Sequence, residues 1–462
     1  MRHLSTILLG LLLLAGCSST EPKVKKTVPQ PAKEESATVK KTGVTPTFNL
    51  ADLEKFPQNA HSYAANIHDR MSLVTMQKAY EQHYFKPWNI QQPPETKSAV
   101  MWPFRVYTEK GSFGENLKPL PKTWFELMLK AANFEQYGTI NRSAITLQFS
   151  HLRNFPTHKP LFRDPSQAGE GFPFDYLQNS GVHANEPLFV SHYSKDGAWV
   201  YVFSSYATGW LPAYSIAYMK PEHMEQWQQA KQLHLITDNY PIKDEKNHFV
   251  FYGRIGVMLP LVAIEKSHYV ALAVTAGRYS EATYTKVVIP RFVGREEVLP
   301  LSKKTLPDLA NELMQSNYGW GGLYEERDCS STIRDLYAPF GIWLPRNSSQ
   351  QSRIGKKIML KDMSRKEKIE TIVKFGVPFE TLLYRNGHIL LYLGIYEDQV
   401  MVMHNVWGVK TMEDDIQGRK IVGKTIISTL NLGCEQEDYD EENNLLKNLV
   451  SMNIITASRE EK

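Results

Sequence analysis

The segment NYGWGGLYEERDCSST, residues 317–332, decides how the C-terminal part of the chain folds. Its glycines allow a tight loop, and Asp328 has the short acceptor side chain that favours the position just before a helix. Apolar side chains then recur at helical spacing, as at Ile333 and Leu336. The sequence therefore predicts that Cys329 lies in the first turn of a helix, directly after a glycine-rich loop.

Cys329 is a candidate nucleophile at such a position. The unpaired N–H groups of a helix start favour a thiolate, so we expect a lowered pKa for this thiol. The same N–H groups can donate hydrogen bonds to an oxyanion. Two alternatives stay open here: an inert buried thiol, and a disulfide between Cys329 and Cys434 that would silence it.

A thiol nucleophile needs a base, and only two of the 14 histidines, His388 and His404, lie beyond residue 300. His388 begins an apolar strand, and His404 ends the returning strand after a turn at residues 397–399. Parity puts both imidazoles on one sheet face, with His388 as base and His404 as the group that orients it. An ideal ladder leaves them about 13 Å apart along the strands. We expect a bulge or twist near Gly394 to close this gap; otherwise both are exposed histidines at strand ends.

The first 17 residues combine a basic start, an apolar run at residues 7–14 and the ending LAGC at residues 14–17. The run is too short to span a bilayer and is typical of a signal peptide, residues 1–16. The ending resembles a bacterial lipobox, which implies lipid on Cys17 and attachment to a membrane. The two serines that follow resemble a sorting signal for the outer membrane, facing the periplasm. The alternative is an ordinary secretory signal that ends at a chance cysteine.

The chain after this leader divides by pattern, and the patterns predict an α+β, multidomain protein. Residues 17–47 are rich in Lys, Glu, Pro, Ser and Thr, which predicts a flexible tether. Residues 48–140 are interpreted as a helical support domain. Helices are expected there at Met71–Tyr84 and Lys122–Phe134, where apolar residues follow helical spacing.

Short strands separated by turns follow in residues 141–219 and, more loosely, in residues 220–305. The turn SKDG at residues 194–197 leads into AWVYV, which predicts a β-hairpin. We therefore expect two small β-barrels, with Trp199 and Trp210 packed inside the first.

The C-terminal part divides into residues 306–434, which hold the candidate site, and an acidic tail, residues 435–462. A short apolar helix is expected at Leu445–Ile455. The net charge of the whole chain is only +4 and no dense basic patch is evident, which argues against nucleic-acid binding. The proposed chemistry needs no metal or cofactor, and we expect a monomer.

The pattern Y-x-W-G-G, then D-C-S at a helix start, then G-H at a strand start and a second His on the next strand resembles the NlpC/p60 cysteine peptidases. Those enzymes have a papain-like fold in circularly permuted order, and the resemblance implies a triad of Cys329, His388 and His404. The strings RNFPT at residues 153–157 and GFPFDYLQ at residues 171–178 resemble relatives with an N-terminal stabilising domain and two bacterial SH3-like domains.

The resemblance also implies a reaction and a substrate. Such relatives hydrolyse the bond between γ-D-glutamate and the diamino acid of peptidoglycan stem peptides, and they prefer a free N-terminal L-alanine. The pocket for that amine resembles Tyr318, Asp328, Ser330 and Ser348 here, where a carboxylate suits an ammonium group. Walls from the first barrel are expected near residues 175–176, Asp175 and Tyr176.

Two other functions stay open at this point. One is a catalytically silent lipoprotein that binds the cell wall through its barrels. The other is an amidase or acyltransferase on the same scaffold, because a thioester can pass to acceptors other than water.

Overall fold

The computed structural model describes residues 50–70, 74–277 and 280–457. The predicted signal peptide, the lipid site at Cys17 and the tether lie outside these residues. Ten α-helices form in the described residues: α1 (Ala51–Lys55), α2 (Val74–Tyr84), α3 (Lys97–Val100), α4 (Trp102–Val106), α5 (Lys122–Ala131), α6 (Pro221–Gln229), α7 (Thr305–Leu313), α8 (Cys329–Tyr337), α9 (Ser348–Gln351) and α10 (Arg365–Phe375). Across the described part of the chain, every helix is too short or too polar to cross a membrane.

The two helices expected in the N-terminal part are present as α2 and α5, with one changed boundary. Helix α5 ends at Ala131 and not at Phe134, because Asn133 adopts a left-handed φ of 48°. Such a residue terminates a helix, and asparagine tolerates this conformation.

The first barrel is a seven-stranded antiparallel sheet in the order β3-β2-β6-β5-β4-β1-β7. Its strands are β1 (Arg142–Thr146), β2 (Ser150–Arg153), β3 (Gln178–Val182), β4 (Pro187–Tyr193), β5 (Trp199–Phe203), β6 (Thr208–Pro212) and β7 (Ile216–Tyr218). The predicted hairpin is present, with β4 and β5 joined through residues 194–198.

The two tryptophans of this barrel do not pack inside it, so that prediction is wrong. Val200 and Val202 fill the interior, and strand alternation turns Trp199 to the other face. Trp199 and Trp210 are buried there with Phe134 of the helical part. The aromatic face of the barrel therefore fixes the helical part to it.

The second barrel is also a seven-stranded antiparallel sheet, in the order β10-β9-β13-β12-β11-β8-β14. Its strands are β8 (Gln232–Leu235), β9 (Tyr240–Asp244), β10 (Phe249–Gly253), β11 (Met258–Ile264), β12 (His268–Ala276), β13 (Ala282–Pro290) and β14 (Gly294–Arg295). This sheet confirms the short strands predicted for residues 220–305.

The C-terminal part contains a six-stranded sheet in the order β15-β20-β16-β17-β18-β19. Its strands are β15 (Lys356–Met359), β16 (Thr381–Arg385), β17 (His388–Tyr396), β18 (Gln399–Glu413), β19 (Ile416–Thr429) and β20 (Ser451–Ile454). Helix α8 packs on this sheet, with Leu336 in one buried cluster with Leu391 and Met403.

The chain end belongs to this sheet, which corrects two predictions. Strand β20 lies between β15 and β16, and Met452 within it is fully buried. The helix expected at Leu445–Ile455 is therefore wrong, and residues 435–457 are not a separate tail. A short apolar run is compatible with a strand as well as with a helix. Here it forms a strand because it pairs with β15 on one side and β16 on the other.

The first described residues cover the other edge of the same sheet. Leu50 is buried with Ile426 and Leu432, and the ring of Tyr63 lies 5.3 Å from that of Tyr396. The start of the predicted support domain thus packs against the C-terminal sheet.

Candidate active site

Helix α8 begins at Cys329, as predicted. Asp328 caps it: its carboxylate accepts from the Ser331 N–H, and the Ser331 hydroxyl bonds back to the Asp328 N–H. This reciprocal capping box fixes where the helix starts. Cys329 is consequently the first residue whose backbone N–H projects from the open end of the helix.

The loop before α8 needs glycine because the first barrel touches it. Gly321 and Gly322 have positive φ values of 60° and 88°. A Cβ atom on Gly321 would lie 2.6 Å from the Gln178 carbonyl oxygen, and one on Gly322 would lie 2.5 Å from the Gly181 nitrogen. The Gln178 side-chain amide donates to the Gly321 carbonyl at 3.0 Å. The barrel thus supports the backbone that positions Cys329.

His388 and His404 lie within hydrogen-bond distance, with Nε2 of His388 2.9 Å from Nδ1 of His404. The turn between their strands has two residues, Glu397 and Asp398, both with positive φ, and not the three expected. A two-residue turn alone would put the imidazoles on opposite faces. The predicted bulge near Gly394 is present, and its extra residue restores their common face.

Cys329 lies where two cavities meet. The first, of about 280 Å³, contains His388 and His404; the second, of about 230 Å³, contains Asp328 and the two serines of the predicted amine pocket. Four residues line both cavities: Tyr318, Trp320, Cys329 and Gly387. The side chains of all the predicted site residues in the C-terminal part, Cys329, His388, His404, Tyr318, Asp328, Ser330 and Ser348, therefore line one continuous cleft.

Four family models match the chain: the NLPC_P60 stabilising domain, N term, at residues 6–137; the SH3 domain of SH3b1 type at 160–212; the SH3 domain of SH3b2 type at 221–264; and the NlpC/P60 family at 315–425. Residues 315–425 thus form an NlpC/P60 domain. The NlpC/P60 domain holds Cys329, His388 and His404, and it follows the stabilising domain and two SH3 domains.

The fold is shared with a solved NlpC/P60 endopeptidase from Photobacterium damselae subsp. piscicida. That structure covers 87% of this chain and 98% of its own, with a TM-score of 0.75 and 22% identity. An NlpC/P60 family protein from Bacillus cereus ATCC 10987 covers 67% of this chain and 98% of its own, with a TM-score of 0.44 and 15% identity. No curated protein matches the chain.

The protonation of the NlpC/P60 site differs from the prediction. Burial raises the pKa of the Cys329 thiol to about 12, and the neighbouring Asp328 carboxylate raises it further. The expected lowering by the helix start is therefore wrong, because desolvation of the thiolate outweighs the helix dipole. Burial lowers the pKa of His388 to about 3. Without substrate, the site at neutral pH holds a thiol and a neutral imidazole.

Asp328 has a partner that sequence reasoning missed, Arg346. The guanidinium donates to both carboxylate oxygens, at 2.6 Å to Oδ2 and 3.1 Å to Oδ1. Burial opposes ionisation of Asp328, but Arg346 and the bonds from Ser331 outweigh it and lower its pKa. The only signal for Arg346 in the sequence is its position two residues before Ser348.

The first barrel lines the Asp328 cavity with neutral groups. Tyr176 is among them, but Asp175 is not. The Asp175 carboxylate is buried in an ion pair with Arg153 at 2.6 Å, so the prediction that Asp175 lines the pocket is wrong. Asn154 and Asn179 take part instead, and neither was expected.

The His388 cavity carries positive charge. Arg385, Lys410 and Arg419 line it, and no Asp or Glu of the described residues does. Arg385 donates to the Asn443 carbonyl, and Nε of Arg419 is buried without a hydrogen-bond partner. The Glu170 carboxylate is close enough to raise the pKa of Arg419, which favours its charged form, but this carboxylate accepts a hydrogen bond from the Tyr176 hydroxyl.

Two further sequence hypotheses concern cysteines and metals. Cys329 and Cys434 are both free thiols, so the disulfide alternative is wrong. Among the described residues, no group of three or more His, Cys, Asp or Glu side chains is placed to hold a metal ion.

Proposed function

We propose that this NlpC/P60 protein hydrolyses the bond between γ-D-glutamate and the diamino acid of peptidoglycan stem peptides. Cys329 is the nucleophile and His388 the base. The observation that carries the proposal is the position of Cys329 at the open start of α8, in one cavity with the paired imidazoles. The coarser function, a cell-wall peptidase fold, is given by the family itself.

The mechanism starts from the neutral pair. His388 takes the proton from the Cys329 thiol as sulfur attacks the γ-glutamyl carbonyl carbon, so charge forms only during the reaction. The N–H group of Cys329 donates to the oxygen that becomes negative. The imidazolium then protonates the leaving amine of the diamino acid. Water, deprotonated by His388, releases the acyl group from sulfur.

The preference for a free N-terminal L-alanine belongs to the same proposal. Asp328 Oδ1 accepts from Ser330, Ser331 and Arg346, whereas Oδ2, among the described residues, accepts from Arg346 alone. A carboxylate oxygen has two lone pairs, so Oδ2 retains one for an α-ammonium group. Ser348 lines the same cavity and supplies a second acceptor.

The test compares purified protein with Cys329→Ala and with Cys434→Ala, which removes the other free thiol of the described residues. Each is incubated with L-Ala-γ-D-Glu-diaminopimelate peptides, free or N-acetylated. We expect release of the diamino acid by the protein and by Cys434→Ala, none by Cys329→Ala, and slower cleavage of the acetylated peptide. Equal turnover by Cys329→Ala would reject the nucleophile, and equal cleavage of both peptides would reject the amine pocket. Binding without cleavage would favour the silent wall-binding protein.

We also propose that the protein is a monomer held to the outer membrane, facing the periplasm, by lipid on Cys17. Mass spectrometry of the mature N-terminus tests this. We expect a diacylglyceryl cysteine at residue 17 and release into the soluble envelope fraction for Cys17→Ser. An unmodified Cys17 in membranes would reject the anchor.

A further inference from the structure

A chain of hydrogen bonds continues from the paired imidazoles to the edge of the sheet. His404 is 1% exposed, and its Nε2 lies 3.0 Å from the Ser428 hydroxyl. That hydroxyl lies 2.9 Å from the Thr429 carbonyl oxygen. Strand register explains the contact, since His404 faces Ile426 and Ser428 stands two residues further on the same face.

The direction of each hydrogen bond follows from the last acceptor. The Ser428 hydroxyl donates its single proton to the Thr429 carbonyl oxygen, which can only accept. His404 must then donate from Nε2, which leaves Nδ1 as the acceptor for His388. His388 in turn donates from Nε2, and the lone pair stays on its Nδ1. The network therefore selects one tautomer at both imidazoles.

The edge strand that carries Ser428 is held on its outer side by the N-terminal segment. The Gln58 side-chain amide donates to the Ile427 carbonyl at 2.7 Å and accepts from the Ile427 N–H at 2.9 Å. The Asp52 carboxylate accepts from the Thr429 N–H at 2.7 Å and from its hydroxyl at 2.9 Å. The residues on both sides of Ser428 are thus fixed by two side chains that pair with an otherwise open edge.

We infer that Ser428 is a positioning residue for the reaction, and that Asp52 and Gln58 hold it in place from outside the sheet. Their joint effect is to keep Nδ1 of His388 unprotonated and available to the Cys329 thiol. The inference rests on the proposed function only for its kinetic consequence, because the tautomers exist without substrate. It also gives the N-terminal segment a part in catalysis beyond support.

The experiment measures tautomers and kinetics in the full chain. In ¹⁵N-labelled protein, ring nitrogen shifts are expected to show Nε2–H on both His388 and His404. Ser428→Ala should give a mixture of tautomers and about a tenfold lower kcat with KM within about twofold, because the base is then misplaced in part of the population. Ser428→Thr restores a hydroxyl and should recover most of kcat.

Thr425→Val is the matched control, since Thr425 is buried on the same strand and its hydroxyl has no hydrogen-bond partner. It should leave the tautomers and kcat unchanged. A Ser428→Ala protein with wild-type tautomers and kcat would overturn the inference. If wild-type protein cleaves no stem peptide but shows the expected tautomers, the proposed function fails and the positioning role of Ser428 stands.

The outer contacts are tested separately. Gln58→Ala and Asp52→Ala should each lower kcat about threefold and broaden the same ring signals, because Ser428 is then less well placed. His61→Ala is the control: it removes a contact of the same segment to Asp308 on α7 and leaves β19 untouched. Unchanged kcat and ring signals in both Gln58→Ala and Asp52→Ala would remove the N-terminal segment from the inference.

Discussion

The two cavities that meet at Cys329 have similar volumes, of about 230 and 280 Å³, but one is neutral and the other is positively charged. The Asp328 cavity is lined by one acidic residue, Asp328, and one basic residue, Arg346, and these two form an ion pair. The His388 cavity has three cations and, among its described lining residues, no acid. A substrate crossing Cys329 thus passes from a neutral, hydrogen-bonding end to a positive one.

The chemistry fixes which end of the substrate lies in which cavity. The imidazole that protonates the leaving amine must stand on the side of the leaving group. In the reaction we propose, the diamino acid therefore lies in the His388 cavity, and the N-terminal end of the peptide lies in the Asp328 cavity. The difference teaches that, in the proposed reaction, one side is suited to hydrogen-bonding groups and the other to negative charge.

The largest effect is expected from breaking the ion pair between Asp328 and Arg346. Arg346→Met leaves the Asp328 carboxylate buried without its cation, which should cost about 3–5 kcal/mol of stability. Thermal unfolding is the measurement, with Arg353→Met, an exposed arginine nearby, as control. An unfolding midpoint for Arg346→Met equal to that of the control would mean that the Asp328 cavity is not held neutral by this pair.

A smaller effect is expected on the positive side. Arg419→Gln removes one cation, and it should lower kcat/KM about tenfold for a peptide with diaminopimelate, whose side chain carries a carboxylate, corresponding to roughly 1.4 kcal/mol. A peptide with lysine at that position lacks this carboxylate and should be affected less. Lys424→Gln, at an exposed position of the same strand, is the control. Equal losses for both peptides would show that Arg419 recognises a group common to them.

Part of this site could be predicted because its signals are local. Asp328 and the helical spacing after it place Cys329 within a few residues, and the two histidines flank one hairpin. The close approach of the two imidazoles could not be predicted from strand alternation alone. It depends on the true turn length and on the bulge near Gly394, which compensate each other, and neither follows from alternation alone.

Other features depend on parts of the chain that are distant in sequence. The pKa of the Cys329 thiol is raised by desolvation in the folded protein, which the helix start alone does not reveal. The position of β20 depends on its pairing with two strands, β16 and β15, which lie about 70 and 90 residues before it in the sequence. The contact of Gln58 with β19 joins residues 369 positions apart.

The smallest effect is expected when pH is lowered from 7 to 5. In the proposed mechanism His388 acts as base only when neutral, and its pKa in the fold is lowered from 6.5 to about 3, so it stays neutral over this range. The pKa of Asp328 is also lowered, so the ion pair with Arg346 persists. Both cavities then keep their charges, and the preferences for free amine and for diaminopimelate should change less than about twofold.

Rates are to be measured on pre-folded protein at each pH, with the unfolding temperature as control. Unfolded histidines take up protons below about pH 6.5 while buried ones do not, so stability itself should fall as pH falls. A kcat that drops tenfold between pH 7 and 5 in folded protein would show that His388 titrates near its ordinary value. The His388 cavity would then gain a further positive charge below that pH, and the contrast between the two sides of Cys329 would increase as pH falls.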